Sequence, residues 1–155
     1  MKRGIIFEIP NENGRFLGDI LMPFDTNQYN WRVGGEESYL INNNKLDSSL
    51  FPEQINCMDG ETLKSIIEDS EYYLIFQDLK AYPKGKNTID VRTYEEFMGS
   101  DCQLVLLVVD SSYITVYCKS KEKLEELYLN AYNQGYINLE YITDENDMRT
   151  RLSVW

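Results

Sequence analysis

The chain contains no histidine. Histidine is the usual general base near neutral pH and the commonest metal ligand, so its absence excludes Ser-His-Asp and Cys-His machinery and His-based zinc or iron sites. What remains is hard-metal carboxylate chemistry, Lys or Tyr acting as acid or base, or no chemistry at all. Cysteine is scarce as well. Cys57, Cys102 and Cys118 are odd in number, widely spaced and without a CxxC pair, which reads as three reduced thiols rather than a disulfide framework. Long apolar runs are missing: the longest, Leu104–Val109, falls far short of the ~20 residues that span a bilayer. Lys2 and Arg3 resemble the start of a secretory signal, but Glu8 follows directly after Ile5, Ile6 and Phe7, so there is no apolar signal core. Cations are the last deficit, with 15 Lys and Arg against 26 Asp and Glu, a formal net charge of −11. Phosphate neutralisation by Lys and Arg supplies most non-specific nucleic-acid affinity, so no nucleic-acid partner is expected. These absences predict a cytoplasmic protein with no membrane segment, metal or cofactor, and a partner that is itself basic.

What is present is an ordinary globular composition. The chain has 155 residues, 43% apolar and 26% charged, and no linker, low-complexity tract or repeat divides it, so residues 1–155 read as one domain. Arg3 to Ile9 alternates as a strand until Pro10. Arg15 to Met22 carries Phe16, Leu17, Ile20 and Leu21 on one helical face. Tyr29 to Val33, the Gly34-Gly35-Glu36-Glu37 segment and Ser38 to Ile41 predict a hairpin with a Gly-Gly loop, and Asn42 to Phe51 a long surface loop. Asp59 reads as the N-cap of a helix through Asp69, and Thr93 as the cap of a short helix closed by Gly99.

The last third has the clearest pattern. Leu104–Val109 suits a central strand buried on both faces, and Tyr113 to Lys119 alternates, with Ile114, Val116 and Cys118 opposite Tyr113, Thr115 and Tyr117. Ser120 caps a helix whose apolar stripe runs through Leu124, Leu127, Tyr128, Ala131 and Tyr132 to Gly135. Tyr136 to Ile142 is another strand, with Ile137, Leu139 and Tyr141 on one face, and a short segment from Leu152 to Trp155 ends the chain. Together these predict an α+β fold: a mainly antiparallel sheet with about three helices packed on it.

No motif assembles a catalytic site. Asp144-Glu145-Asn146-Asp147 begins like a calcium loop, but Met148 and Arg149 stand where a third oxygen ligand and Gly belong, so it reads as a solvated turn. Gly34-Gly35 lacks the spacing of a phosphate loop. The pairs Glu36-Glu37, Glu95-Glu96 and Glu125-Glu126 are sequence neighbours whose side chains diverge, which leaves carboxylate chemistry only to a pair drawn from distant segments. The twelve tyrosines are more informative, because Tyr and Trp favour interfaces. Tyr113 and Tyr117 form an aromatic interaction surface if their face is uncovered. Arg149 and Arg151, with Trp31 as the aromatic wall, are the candidate ligand-binding residues for an anion.

The opening Lys2 to Asn11, the Tyr29-Asn30-Trp31 block and the tail from Tyr141 to Trp155 resemble a family of small uncharacterised proteins from spore-forming Gram-positive bacteria. The resemblance implies one complete domain in a bacterial cytoplasm and transfers no residue role. The leading functional expectation is therefore a small acidic binding module of inhibitor, immunity or regulatory type acting on a basic protein. The alternative is a small-molecule-binding domain or histidine-free enzyme with an aromatic, arginine-containing pocket.

Overall fold

The run Leu104–Val109 is apolar throughout because it lies at the middle of a sheet with both faces covered. In the computed structural model, which describes residues 1–52 and 54–154 apart from the side chain of Glu36, Leu104, Leu106 and Val108 enter one core and Val105 and Leu107 another. The Trp155 end of the final segment lies outside the described residues. The strands are β1 (Lys2–Glu8), β2 (Tyr29–Asn42), β3 (Lys45–Ser49), β4 (Cys57–Asp59), β5 (Tyr72–Pro83), β6 (Leu104–Val109), β7 (Tyr113–Cys118) and β8 (Ile137–Thr143). They form one sheet in the order β3-β2-β5-β6-β7-β1-β8, with β4 beside β2, and every pairing is antiparallel. The fold is α+β.

Three helices cover one face, hereafter the helix face: α1 (Phe16–Ile20), α2 (Gly60–Asp69) and α4 (Lys121–Asn133). The N-caps of α2 and α4 sit where the sequence predicts, whereas α1 stops at Ile20, short of Met22. Asp59 accepts from the Thr62 amide at 2.8 Å and Ser120 Oγ from the Lys123 amide at 3.2 Å, satisfying donors that the first helical turn leaves orphaned. Leu63 and Ile67 from α2 and Leu124, Leu127 and Ala131 from α4 pack on Ile5, Phe7, Trp31 and Val116. The Tyr72 hydroxyl joins two of these helices, accepting from the Leu17 amide at 3.1 Å and donating to the Ile67 carbonyl at 2.7 Å. The opposite face is covered by α3 (Tyr94–Met98), capped by Thr93, and by the C-terminal tail, whose Leu152 is buried and donates its amide to the Arg92 carbonyl. Among the described residues there are four α-helices, two of them of five residues, in keeping with the expected sheet and about three helices.

Two local expectations are corrected. Tyr29–Asn42 is one long strand, not a hairpin, and Gly34-Gly35 makes a bulge where the register against β5 shifts between Gly34 and Glu37. Gly34 lies against the Asp78 carboxylate, where a Cβ would stand 2.4 Å from an oxygen, and Gly35 takes a φ of 86°. The reversal comes later, at Asn43-Asn44, both left-handed with φ of 53° and 62°, and it folds half of the expected surface loop into β3.

Candidate functional site

Alternation along β7, β1 and β8 places three rows of side chains on the tail face. Tyr117, Gly4 and Ile142 lie side by side, then Thr115, Ile6 and Glu140, then Tyr113, Glu8 and Ile137. A bulge at Asn138, with a φ of 56°, brings Ile137 onto this face rather than the face of Leu139 and Tyr141 predicted for it. The first row is sealed. Tyr117 is 0% exposed beneath Tyr94 and Phe97 of α3, with ring centroids 5.9 and 6.4 Å away. Gly4 permits this close approach, since a Cβ there would lie 2.0 Å from the Val116 carbonyl oxygen.

The third row is open. Tyr113 is 55% exposed and Ile137 60%, Ile6 is partly exposed in the row between, and Met148 projects from the tail. Two adjoining hollows of about 270 and 430 Å³ share Ile6, Thr115 and Glu140, so they form one groove from Tyr113 and Glu8 at one end to Tyr117, Asp147 and Arg149 at the other.

The electrostatics of the two ends differ. At the closed end Asp147 accepts from the Tyr117 hydroxyl at 3.1 Å, from Arg3 Nη1 at 3.1 Å and from the Arg149 amide at 3.1 Å. Arg3 also donates to Asp144 at 2.8 Å and lies 3.9 Å from the centre of the Tyr94 ring. Its hydrogen bond, followed by the attraction of the N-terminal amine, holds the Asp144 carboxyl below the usual carboxylate range. Burial, reinforced by Asp147, pushes the Tyr117 phenol well above its ordinary value, so it is a fixed hydrogen-bond donor and not a base. At the open end Glu140 is exposed and Glu8 half-buried, with Asn138 donating to Glu8 at 2.5 Å.

These positions revise the sequence-level site. The predicted Tyr113–Tyr117 stripe is not exposed along its length, because α3 and the tail cover the Tyr117 end and only Tyr113 reaches solvent. Trp31 is 0% exposed on the helix face and donates Nε1–H to the Thr26 carbonyl at 2.9 Å. It therefore walls no pocket with Arg149 and Arg151, which lie on the tail at the other face. Arg149 lines the groove, but its Nη1 donates to the carbonyls of Arg151 and Ser153 at 3.3 and 3.5 Å, while Arg151 is exposed along a shallow outer depression. Ile6, Glu8 and Glu140 escaped sequence reasoning. The available signal was Ile6, an apolar residue out of step with the Ile5 and Phe7 alternation.

A second polar group lies towards β5. Lys80, buried on the tail face, donates to Asp90 at 2.7 Å and to the Val91 carbonyl at 2.8 Å, and Asp90 also meets Arg32 at 3.5 Å. These charges satisfy one another and anchor the segment before α3. Among the described residues no group of three or more His, Cys, Asp or Glu is placed to hold a metal ion, and no helix is long and apolar enough to cross a membrane.

No solved structure matches the chain. The Uncharacterized protein YncE of Bacillus subtilis (strain 168) is 44% identical over 154 residues, which is 99% of this chain and 100% of that protein. A family model described as Protein of unknown function (DUF2691) matches residues 2–153, from the first residue of β1 past the Leu152 anchor. Groove, sheet and the tail as far as Ser153 thus fall within that match, and the chain belongs to the DUF2691 family.

Proposed function

We propose that the protein is a small acidic cytoplasmic binding module, of inhibitor, immunity or regulatory type, that engages a basic protein through the open groove on β7, β1 and β8. The observation that carries this reading is the uncovered third row, where Tyr113 and Ile137 stand exposed beside Glu8, next to Ile6 and Glu140 of the row before it. An aromatic anchor with apolar neighbours and a charged rim is the composition that concentrates binding energy at interfaces. The net charge of −11 steers a cationic partner towards it and raises the association rate more than the affinity.

The test is affinity capture from bacterial lysate with the tagged wild-type chain and a Tyr113→Ser variant. The expected result is a stoichiometric basic protein whose recovery falls as salt is raised and is largely lost with Tyr113→Ser. Equal recovery by both baits, or none by the wild type, overturns the reading.

A further inference from the structure

The groove is bounded on one side by the sheet's last strand. Beyond β8 no strand follows among the described residues, so its outer backbone groups face away from β1. Residues two apart in a strand direct their amide and carbonyl to the same edge, and here Tyr141 and Thr143 direct theirs outward. The Tyr141 carbonyl and the Thr143 amide are engaged by one side chain, while the Thr143 carbonyl accepts the Asp147 amide at 3.1 Å. Asn146 Nδ2 donates to the Tyr141 carbonyl at 3.1 Å, and Asn146 Oδ1 accepts from the Thr143 amide at 2.6 Å. A donor to residue i−1 and an acceptor from residue i+1 is the bond pair that one residue of a parallel neighbour makes, so the carboxamide stands where the peptide of a further strand would stand. The turn holding it is tied down by Arg3 through Asp144 and Asp147.

The two faces beside this edge differ in chemistry. Glu140 faces the groove, whereas Leu139 and Tyr141 face the apolar side, where Tyr128 stacks on Tyr141 with ring centroids 4.3 Å apart. An added strand would place alternate residues beside each set. A second copy of this chain fits poorly, because pairing β8 with itself brings like-charged Glu140 side chains together between two molecules of charge −11.

We propose that the outer edge of β8 is a strand-acceptor site for an extended partner segment of alternating basic and apolar residues, with Asn146 occupying the peptide position in the free protein. This rests on the groove reading and adds the mode of engagement: backbone pairing supplies affinity, and Glu140 selects the basic face.

The probe is the blocked peptide Lys-Val-Lys-Val-Lys-Val-Lys, titrated while the amide resonances of Leu139, Tyr141 and Thr143 are followed by NMR. It is expected to perturb all three and to slow their hydrogen exchange. Asn146→Ala is expected to bind at least about threefold more tightly, because the competing carboxamide is gone. Of two peptides N-methylated at the valines or at the lysines, the one methylated on the edge-facing set is expected to lose at least about tenfold and the other to keep its affinity. A Glu-for-Lys peptide should not bind. Unchanged binding by both methylated peptides overturns the edge site and leaves the groove standing. No binding of the lysine peptide to either protein also overturns it, and the groove is then judged by the Tyr113→Ser capture alone. Self-association of Asn146→Ala without peptide binding makes the occupant a second copy and overturns the proposed partner.

Discussion

The hydroxyl of Tyr117 lies 3.1 Å from both carboxylate oxygens of Asp147, joining β7 to the turn after β8 across 30 residues of chain. The acceptor side chain is only 5% exposed and also holds Arg3, so removing it strands a buried hydroxyl and weakens an ion pair at once. Asp147→Ala is expected to lower folding stability by about 2–4 kcal/mol, as expected when one partner of a buried polar pair is deleted. Tyr117→Phe, which leaves the ring contacts with Tyr94 and Phe97 in place, should lower it by about 1 kcal/mol. Urea unfolding of the two variants at neutral pH checks the ordering. No loss in Tyr117→Phe would show that the ring, and not the hydroxyl, holds the turn.

Gly4 makes a sharper test of the same corner. A Cβ at this position would meet the Val116 carbonyl oxygen at 2.0 Å, a backbone atom with no rotamer to escape into. Gly4→Ala must therefore shift β1 against β7, and a loss of about 2–3 kcal/mol is expected, in the range of overpacking inside a tight core. The same substitution at Gly85, where nothing lies within 4 Å but φ is 85°, should cost only about 1–2 kcal/mol, from backbone conformation alone. Thermal unfolding of the pair separates close approach from conformational freedom.

Which features could be read from the sequence follows from the range of the interactions behind them. The Leu104–Val109 strand and the Ser120-capped helix were legible because their signals are local: an apolar run and a 3.6-residue stripe with its cap. Gly34-Gly35 misled because a turn and a bulge ask for the same residue, and only pairing with Asp78 and Phe76 across β5 decides between them. Alternation also placed Tyr113 and Tyr117 on one face correctly. It could not show that α3 and the tail cover one end of that face and leave the other open, since those segments arrive from residues 94–98 and 148–154. Trp31 failed as a site residue for a similar reason: its partner, the Thr26 carbonyl, belongs to a short 3-10 turn, Thr26–Gln28, that hydrophobic periodicity does not mark.

Asp78 sets a pH dependence. It is buried on the tail face and accepts the Val154 amide, and burial raises its pKa despite the opposing pull of Lys80 on its own strand and Arg32 on β2, with Asp90 adding to the rise. Between the ordinary carboxylate range and this raised value the folded chain binds more protons than the unfolded one. Asp78's contribution to stability is therefore present below the ordinary carboxylate pKa and is lost as pH rises through the folded value. Asp78→Asn keeps an acceptor for Val154 and removes the buried charge, so it should stabilise the protein at neutral pH and less so at acid pH. Denaturant midpoints for both proteins from about pH 4 to about pH 8 test this. A difference that does not grow with pH would mean that Lys80 and Arg32 fully compensate the carboxylate.

The three thiols should divide into one and two. Cys57 is exposed, with its sulfur 3.0 Å from Thr88 Oγ1, whereas Cys102 and Cys118 are buried and burial pushes each thiol up to about 11. Thiol–disulfide exchange needs both access and the thiolate, so at about pH 8 a disulfide reagent should titrate one thiol per folded chain and all three in denaturant. The two slow thiols lie on opposite faces of the sheet, Cys118 with the helix-face core and Cys102 with the tail-face core. Their labelling rates therefore report the opening of each face separately. If the tail face, covered only by α3 and an irregular tail, opens more readily than the helix face, Cys102 is labelled faster than Cys118, and Asp147→Ala should speed Cys102 selectively. Equal acceleration of both thiols would mean that the two faces unfold as one unit.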